Sequence, residues 1–140
     1  STLREKIAFS RFTENFLFES VISDSAYVSP YAAVGEGVQI MPGAIVQSGA
    51  MIGDHSIINS NAVVEHDCVI GKFNHIAPGA TLCGHVETGY DVYIGAGATI
   101  MQGISIGQNS VIGASTYTDK NVPDGMVVKT NHVNEIQGRR

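Results

Sequence analysis

Every sixth residue from Val28 to Thr118 belongs to one series: Val28, Val34, Ile40, Val46, Ile52, Ile58, Val64, Ile70, Ile76, Leu82, Thr88, Ile94, Ile100, Ile106, Ile112, Thr118. Fourteen of the sixteen are Val, Ile or Leu. An aliphatic residue held in register that long is an internal repeat. A period of six matches neither strand alternation nor an amphipathic helix. It describes a chain that turns a corner every six residues and points one aliphatic side chain inward from each flat side. Two positions before each aliphatic residue the side chain is mostly small, as at Ala32, Ala44, Ala50, Ala62, Cys68, Ala80 and Ala98. Three positions after it come Tyr31, Gly37, Gly43, Gly49, His55, Asn61, Asp67, Phe73, Gly79, His85, Asp91, Gly97, Gly103, Asn109 and Ser115. Gly, Asn and Asp tolerate the positive φ of a type II corner. Three six-residue sides make one coil, and five coil steps separate Val28 from Thr118. At about 4.8 Å per step the stack rises roughly 24 Å. The sequence thus predicts an all-β triangular prism of short parallel strands from about Ala26 to Thr118.

The chain has 140 residues, 44% hydrophobic and 15% charged, which suits one compact domain and argues against disorder. A net charge of −5 without a basic cluster disfavours nucleic acid and acidic membranes as partners. No apolar run approaches eighteen residues and the N-terminus does not read as a signal peptide, so no membrane insertion and a cytoplasmic location are expected. Residues 1–23 read as an N-terminal cap or the remnant of an upstream domain, 24–130 as the prism, and 131–140 as a polar tail. Within the cap, Thr2 and Glu5 suggest a helix start, Asn15 its end, and Phe16 to Ile22 an extended apolar strand. After Thr118 the six-residue register is expected to dissolve, with one more strand at Met126–Val128. Cys68 at an inward position and Cys83 just after one are expected to face opposite sides and form no disulfide. Met41, Met51, Phe73, Tyr93 and Met101 fall at outward or corner positions. Several outward apolar residues on one prism point to an oligomer, and three-fold symmetry suits three sides.

Four histidines, His55, His66, His75 and His85, crowd into the middle coils. His66 lies two residues after the inward Val64, hence on the outer surface near a corner, flanked by Glu65 and Asp67. A histidine beside a carboxylate can be held in one tautomer and take a proton near neutral pH. The same pattern also describes an ordinary exposed histidine bonded to its own coil. His75 precedes the inward Ile76 and also faces outward.

The aliphatic-glycine hexad, with Asn59 to Asp67 and Gly71 to Gly79 in that order, resembles the bacterial hexapeptide-repeat acyltransferases. Val63-Val64-Glu65-His66-Asp67 resembles their sugar O- and N-acetyltransferase branch, which includes sialic acid O-acetyltransferases and nucleotide-amino-sugar N-acetyltransferases. The resemblance, over roughly Val21 to Val128, implies a left-handed parallel β-helix with a short N-terminal cap; periodicity alone does not give the hand. It implies acetyl-CoA as co-substrate, no metal, a sugar or nucleotide-sugar acceptor, and a homotrimer with its active sites between subunits. By the same resemblance His66 is the general base and Asp67 the acid that orients it. His75 is a second active-site histidine near the acetyl group, shared by the acceptor and cofactor sites, and Asn59 belongs to the acceptor pocket. Gly84 and Gly103 would admit the pantetheine arm of CoA, although Gly103 also sits where a corner demands glycine. Three departures stand out. The branch usually has a nucleotide-binding α/β domain before the prism, where this chain has about two dozen residues. Its usual His-Pro before the first coil is Ser23-Asp24 here, and Val127 to Val133 lacks the Gly and Pro of the usual closing segment. Two other readings remain: a non-catalytic scaffold or assembly module, and a carbonic anhydrase-like zinc enzyme using His66, His75 and His85. The latter lacks the closely spaced histidine pair of that class. A covalent mechanism through Cys83 is a weaker alternative.

Overall fold

A computed structural model of the chain describes residues 3–10 and 16–129. The expectations for Thr2, Asn15 and the tail from Thr130 lie outside these residues. A short helix, α1 (Leu3–Ala8), precedes eighteen two-residue strands, β1 to β18 in chain order. The strands form three parallel sheets, one per side of the prism. The β1 sheet stacks β1 (Val21–Ile22), β4 (Gln39–Ile40), β7 (Ile57–Ile58), β10 (His75–Ile76), β13 (Tyr93–Ile94), β16 (Val111–Ile112) and β18 (Val127–Val128). The β2 sheet stacks β2 (Tyr27–Val28), β5 (Ile45–Val46), β8 (Val63–Val64), β11 (Thr81–Leu82), β14 (Thr99–Ile100) and β17 (Tyr117–Thr118). The β3 sheet stacks β3 (Ala33–Val34), β6 (Met51–Ile52), β9 (Val69–Ile70), β12 (Glu87–Thr88) and β15 (Ser105–Ile106).

The second residue of each strand points inward, and Ile58, Val64, Ile76, Leu82, Ile94 and Ile100 are fully buried. Identical positions stack between coils, as in Ile58↔Ile76↔Ile94. Each such side chain stabilises the fold by about 1.5–3 kcal/mol through burial. Of the fifteen corner residues named from the sequence, all but Tyr31 have positive φ, from Gly37 to Ser115. The Tyr31 N–H instead bonds Ser29 Oγ, 3.2 Å away in its own turn.

Polar residues that interrupt the small inward positions bridge coils from within. Ser56 Oγ donates to the Gly71 carbonyl (2.8 Å) and accepts the Asn74 N–H (3.0 Å). Buried Asn74 donates to the Lys72 and Gly89 carbonyls. The hexad length survives there because the side chains replace packing with hydrogen bonds between adjacent coils.

Three expectations are corrected. The parallel ladder begins at Val21, paired with Gln39, rather than at about Ala26. After Thr118 the six-residue register breaks and the expected further strand forms as β18, but the coil itself continues. Val122 bridges to Ile106 and Val128 pairs with Ile112, so the coil shortens by two residues and the six-residue spacing from Val122 to Val128 resumes. Phe73 is not an outward surface residue but 1% exposed. Its ring meets Phe9, His55 and Tyr90 at 5.6, 4.8 and 5.5 Å. The two cysteines are free, and the Cys68 thiol donates to the backbone carbonyl of Cys83 at 3.1 Å.

The helix lies along the corner edge that contains His55 and Phe73. Arg4 donates to the His55 carbonyl (2.6 Å) and the Phe73 carbonyl (3.4 Å), and the Tyr90 hydroxyl donates to Glu5. Among the described residues no helix is long and apolar enough to cross a membrane.

Candidate active site

His66 and Asp67 occupy the corner between β8 and β9. Asp67 has φ 56°, a left-handed conformation that Asp tolerates because its short side chain bonds locally. Its N–H is held by the Ser48 carbonyl of the coil before. In this corner the His66 Nδ1 lies 2.9 Å from Asp67 Oδ2. A carboxylate only accepts, so Nδ1 carries the hydrogen and Nε2 keeps a free lone pair. The two side chains are 51% and 52% exposed, so that lone pair is open to a substrate.

Gly84 stacks one coil beyond His66 and is buried. A Cβ there would lie 2.6 Å from both Cε1 and Nε2 of His66, closer than real contacts allow. The absent side chain is therefore what gives the imidazole its place. Gly49, one coil before Asp67, does the same for the carboxylate: its Cβ would collide with Asp67 Oδ1. Gly103 differs, since nothing lies within 4 Å of an added Cβ; its φ of +71° is what requires glycine.

His85 stands at the next corner above Asp67, with its N–H bonded to the His66 carbonyl at 3.0 Å. Its Nε2 is 3.8 Å from Asp67 Oδ2, and its ring meets that of His66 edge-on at 5.2 Å. The hexad register marks His85 as a corner residue and does not foresee this contact. The eighteen-residue offset from Asp67 to His85 is the signal that predicts it.

Asn59 and His75 sit together elsewhere, on the β1 sheet and its exit corner. Asn59 Oδ1 accepts the Ser60 N–H at 2.8 Å, so its Nδ2 faces and donates to His75 Nε2 at 3.0 Å. The proton of His75 then resides on Nδ1. Burial, followed by the nearby Arg4 charge, holds its pKa below the usual histidine value. His75 packs edge-on against Tyr93 at 5.2 Å. With Nε2 occupied, His75 offers a hydrogen-bond donor and not a base. No described hydrogen bond, ion pair or ring contact joins the Asn59–His75 pair to the His66 cluster within one chain. Cys83 shows no activating partner among the described residues, and burial pushes the Cys68 thiol up to about 11.

Residues 49–84 match the family model for the bacterial transferase hexapeptide (six repeats), and residues 86–120 that for the hexapeptide repeat of succinyl-transferase. Together they cover about half of the chain. Among solved structures, the acetyltransferase domain of PglB from Neisseria gonorrhoeae is 36% identical with a TM-score of 0.87, over 89% of this chain and 61% of that one. PerB from Caulobacter crescentus, in complex with CoA and GDP-perosamine, is 36% identical with a TM-score of 0.87, over 89% and 60%. WeeI from Acinetobacter baumannii is 30% identical with a TM-score of 0.85, over 91% and 63%. The chain thus spans about three fifths of the length of these relatives. No curated protein matches by sequence. The prism, its six-residue register and these matches place the chain among the hexapeptide-repeat transferases, left-handed parallel β-helices related to the sugar and nucleotide-sugar acetyltransferases.

Proposed function

We propose that this chain transfers an acetyl group from acetyl-CoA to an amino or hydroxyl group of a sugar or nucleotide-linked sugar. The observation that carries this reading is the His66–Asp67 pair, with Nδ1 tied to the carboxylate and Nε2 open beside Gly84. His66 Nε2 takes the proton of the acceptor as the acceptor's lone pair attacks the thioester carbonyl. The carbon–sulfur bond then breaks, and CoA leaves with the proton returned from His66. The Gly84 amide has no acceptor among the described residues and is placed to donate to the developing oxyanion. Orienting two bound substrates supplies much of the rate, so no acyl-enzyme is needed. PglB has a solved complex with acetyl coenzyme A, and PerB one with CoA and GDP-perosamine, which supports this donor and acceptor class.

Asn59 and His75 serve the acceptor and acetyl groups through the Nδ1 donor of His75. They lie on a different side of the prism from His66, which supports a homotrimer whose sites combine His66 of one chain with His75 of a neighbour. Gly103, one coil beyond His85, would border the CoA path. The acetyl-CoA requirement and two free cysteines fit the cytoplasm.

Thiol release from acetyl-CoA with a panel of amino sugars and sugars tests the reading. His66→Ala is expected to lower kcat by about 10²–10⁴-fold, with CoA affinity and assembly unchanged. Asp67→Asn should cost less, because it weakens only the orientation of the ring. A folded His66→Ala protein that turns over at the parental rate would overturn the assignment. A parent that binds no CoA would favour the scaffold reading.

A further inference from the structure

His66, Asp67 and His85 each present one ligand atom, and these atoms all lie within 4.8 Å of one another. Two separations are sharper: 2.9 Å from His66 Nδ1 to Asp67 Oδ2, and 3.8 Å from Asp67 Oδ2 to His85 Nε2. A tetrahedral ion bonded at about 2.0–2.2 Å places its ligand atoms on the order of 3.4 Å apart. The observed spacing brackets that edge. Two imidazoles and one carboxylate, with a fourth position open to water, form a set suited to Zn²⁺ or Co²⁺. The site needs no entry path, since His66, Asp67 and His85 are all about half exposed. The backbone holds the ligands in place: Asp67 and His85 occupy the same corner of adjacent coils at φ 56° and 59°, and the His85 N–H bonds the His66 carbonyl. Gly49 and Gly84 leave room for the carboxylate and the His66 ring.

We propose that these three side chains form an inhibitory transition-metal site that switches the general base off. This rests on the assignment of His66 as base. The switch acts through the tautomer of His66. In the metal-free chain Nδ1 carries the hydrogen and Nε2 accepts. An ion replacing that hydrogen takes the Nδ1 lone pair, and a neutral imidazole must then carry its proton on Nε2. The atom that should receive the acceptor's proton becomes a donor. The same ion draws the Asp67 carboxylate into its own coordination shell and so removes the orienting partner. His85 contributes affinity without touching the reacting atoms, and the mechanism proposed for the transfer does not use it.

The test separates binding from activity. Co²⁺ is titrated into the metal-free protein and followed by its visible absorption, and Zn²⁺ is titrated into the acetyl-transfer assay. The substitution is His85→Asn, because Asn adopts the left-handed corner readily. The parent should bind one Co²⁺ per chain with the intense bands of a tetrahedral ion, and Zn²⁺ should inhibit it. His85→Asn should retain turnover without metal, so that its Zn²⁺ sensitivity can be read against its own metal-free rate. Its Co²⁺ affinity and its Zn²⁺ sensitivity should both fall by about ten-fold or more, since loss of an outer-shell partner alone costs 10–100-fold. His75→Gln, on the other side of the prism, should leave Co²⁺ binding unchanged. Equal Co²⁺ affinity in parent and His85→Asn, or no binding up to millimolar Co²⁺, would overturn the site. Binding without inhibition of an active parent would overturn the switch. A parent without turnover that still binds Co²⁺ through His85 would keep the site and refute the acetyltransferase reading instead.

Discussion

Gly84 shows how much of a site can depend on an atom that is absent. Its Cβ would sit 2.6 Å from two ring atoms of His66, yet its backbone is not left-handed. Alanine would therefore strain nothing in the chain and act only by pushing the imidazole aside. Gly84→Ala is expected to lower kcat by about 10²-fold, the cost of roughly 1 Å of misplacement, while the thermal midpoint stays at the parental value. An unchanged rate would show that Nε2 does not need its present position. His75 gives a second prediction at this scale. Its folded pKa lies below the ordinary value, owing to burial and then Arg4. Between those two pKa values the unfolded chain binds the proton more readily. The stability His75 contributes is thus full above about pH 6.5 and is lost as pH falls toward the folded value. Urea denaturation at pH 7.5 and 5.5 should show this loss in the parent and a smaller one in His75→Gln.

At the scale of elements, two-residue strands do not hold by their own ladders. Each is kept in place by the inward side chain and by the corner that follows. The corner at Phe73 opposes two effects. A bulky residue at φ 59° costs about 1–2 kcal/mol, and a buried phenylalanine replaced by a small residue loses about 3–5 kcal/mol. Packing outweighs the backbone strain, because Phe73 is where α1 docks, through Phe9 and the Arg4 bond to its carbonyl. Phe73→Gly should therefore destabilise the chain by about 1–4 kcal/mol in urea unfolding despite relieving the backbone. A more stable variant would mean that the helix contributes nothing there. The shortened last coil is held in the same way. Val122 and Val128 keep their inward places, and the Ser110 hydroxyl bonds the Pro123 carbonyl and the Met126 N–H across the gap.

At the scale of the whole molecule, the separation of Asn59–His75 from His66–Asp67 is the decisive feature. If each site takes His66 from one chain and His75 from the next, two inactive variants must complement each other. Co-expressed His66→Ala and His75→Gln chains should form mixed trimers that regain about one third of the sites, because a closed ring of three contains one interface with both native residues. Light scattering should give a trimer mass for each variant alone. Mixed trimers without recovered thiol release would place the whole site within one chain. Met51 and Tyr93, 54% and 41% exposed, are free for such an interface, whereas Phe73 is spent on α1.

The six-residue aliphatic register determined the prism, because inward volume must be filled once per side and the chain has no other way to repeat it. It located the corners too, since Gly, Asn and Asp mark positive φ locally; only Tyr31 escaped, having its own serine to bond. His66 and Asp67 were legible as neighbours in sequence, and neighbours at a corner stay neighbours in space. The contacts that only the tertiary structure decided all join residues of different coils or elements. They are the His85 approach to Asp67, the space Gly84 leaves for His66, the burial of Phe73 under α1, and the bond from the Cys68 thiol to the Cys83 carbonyl. A periodic pattern states which position each residue occupies. Which side chain it meets depends on rotamers, on the coil stacked above and on what packs against the outside, and none of these is written within a single hexad.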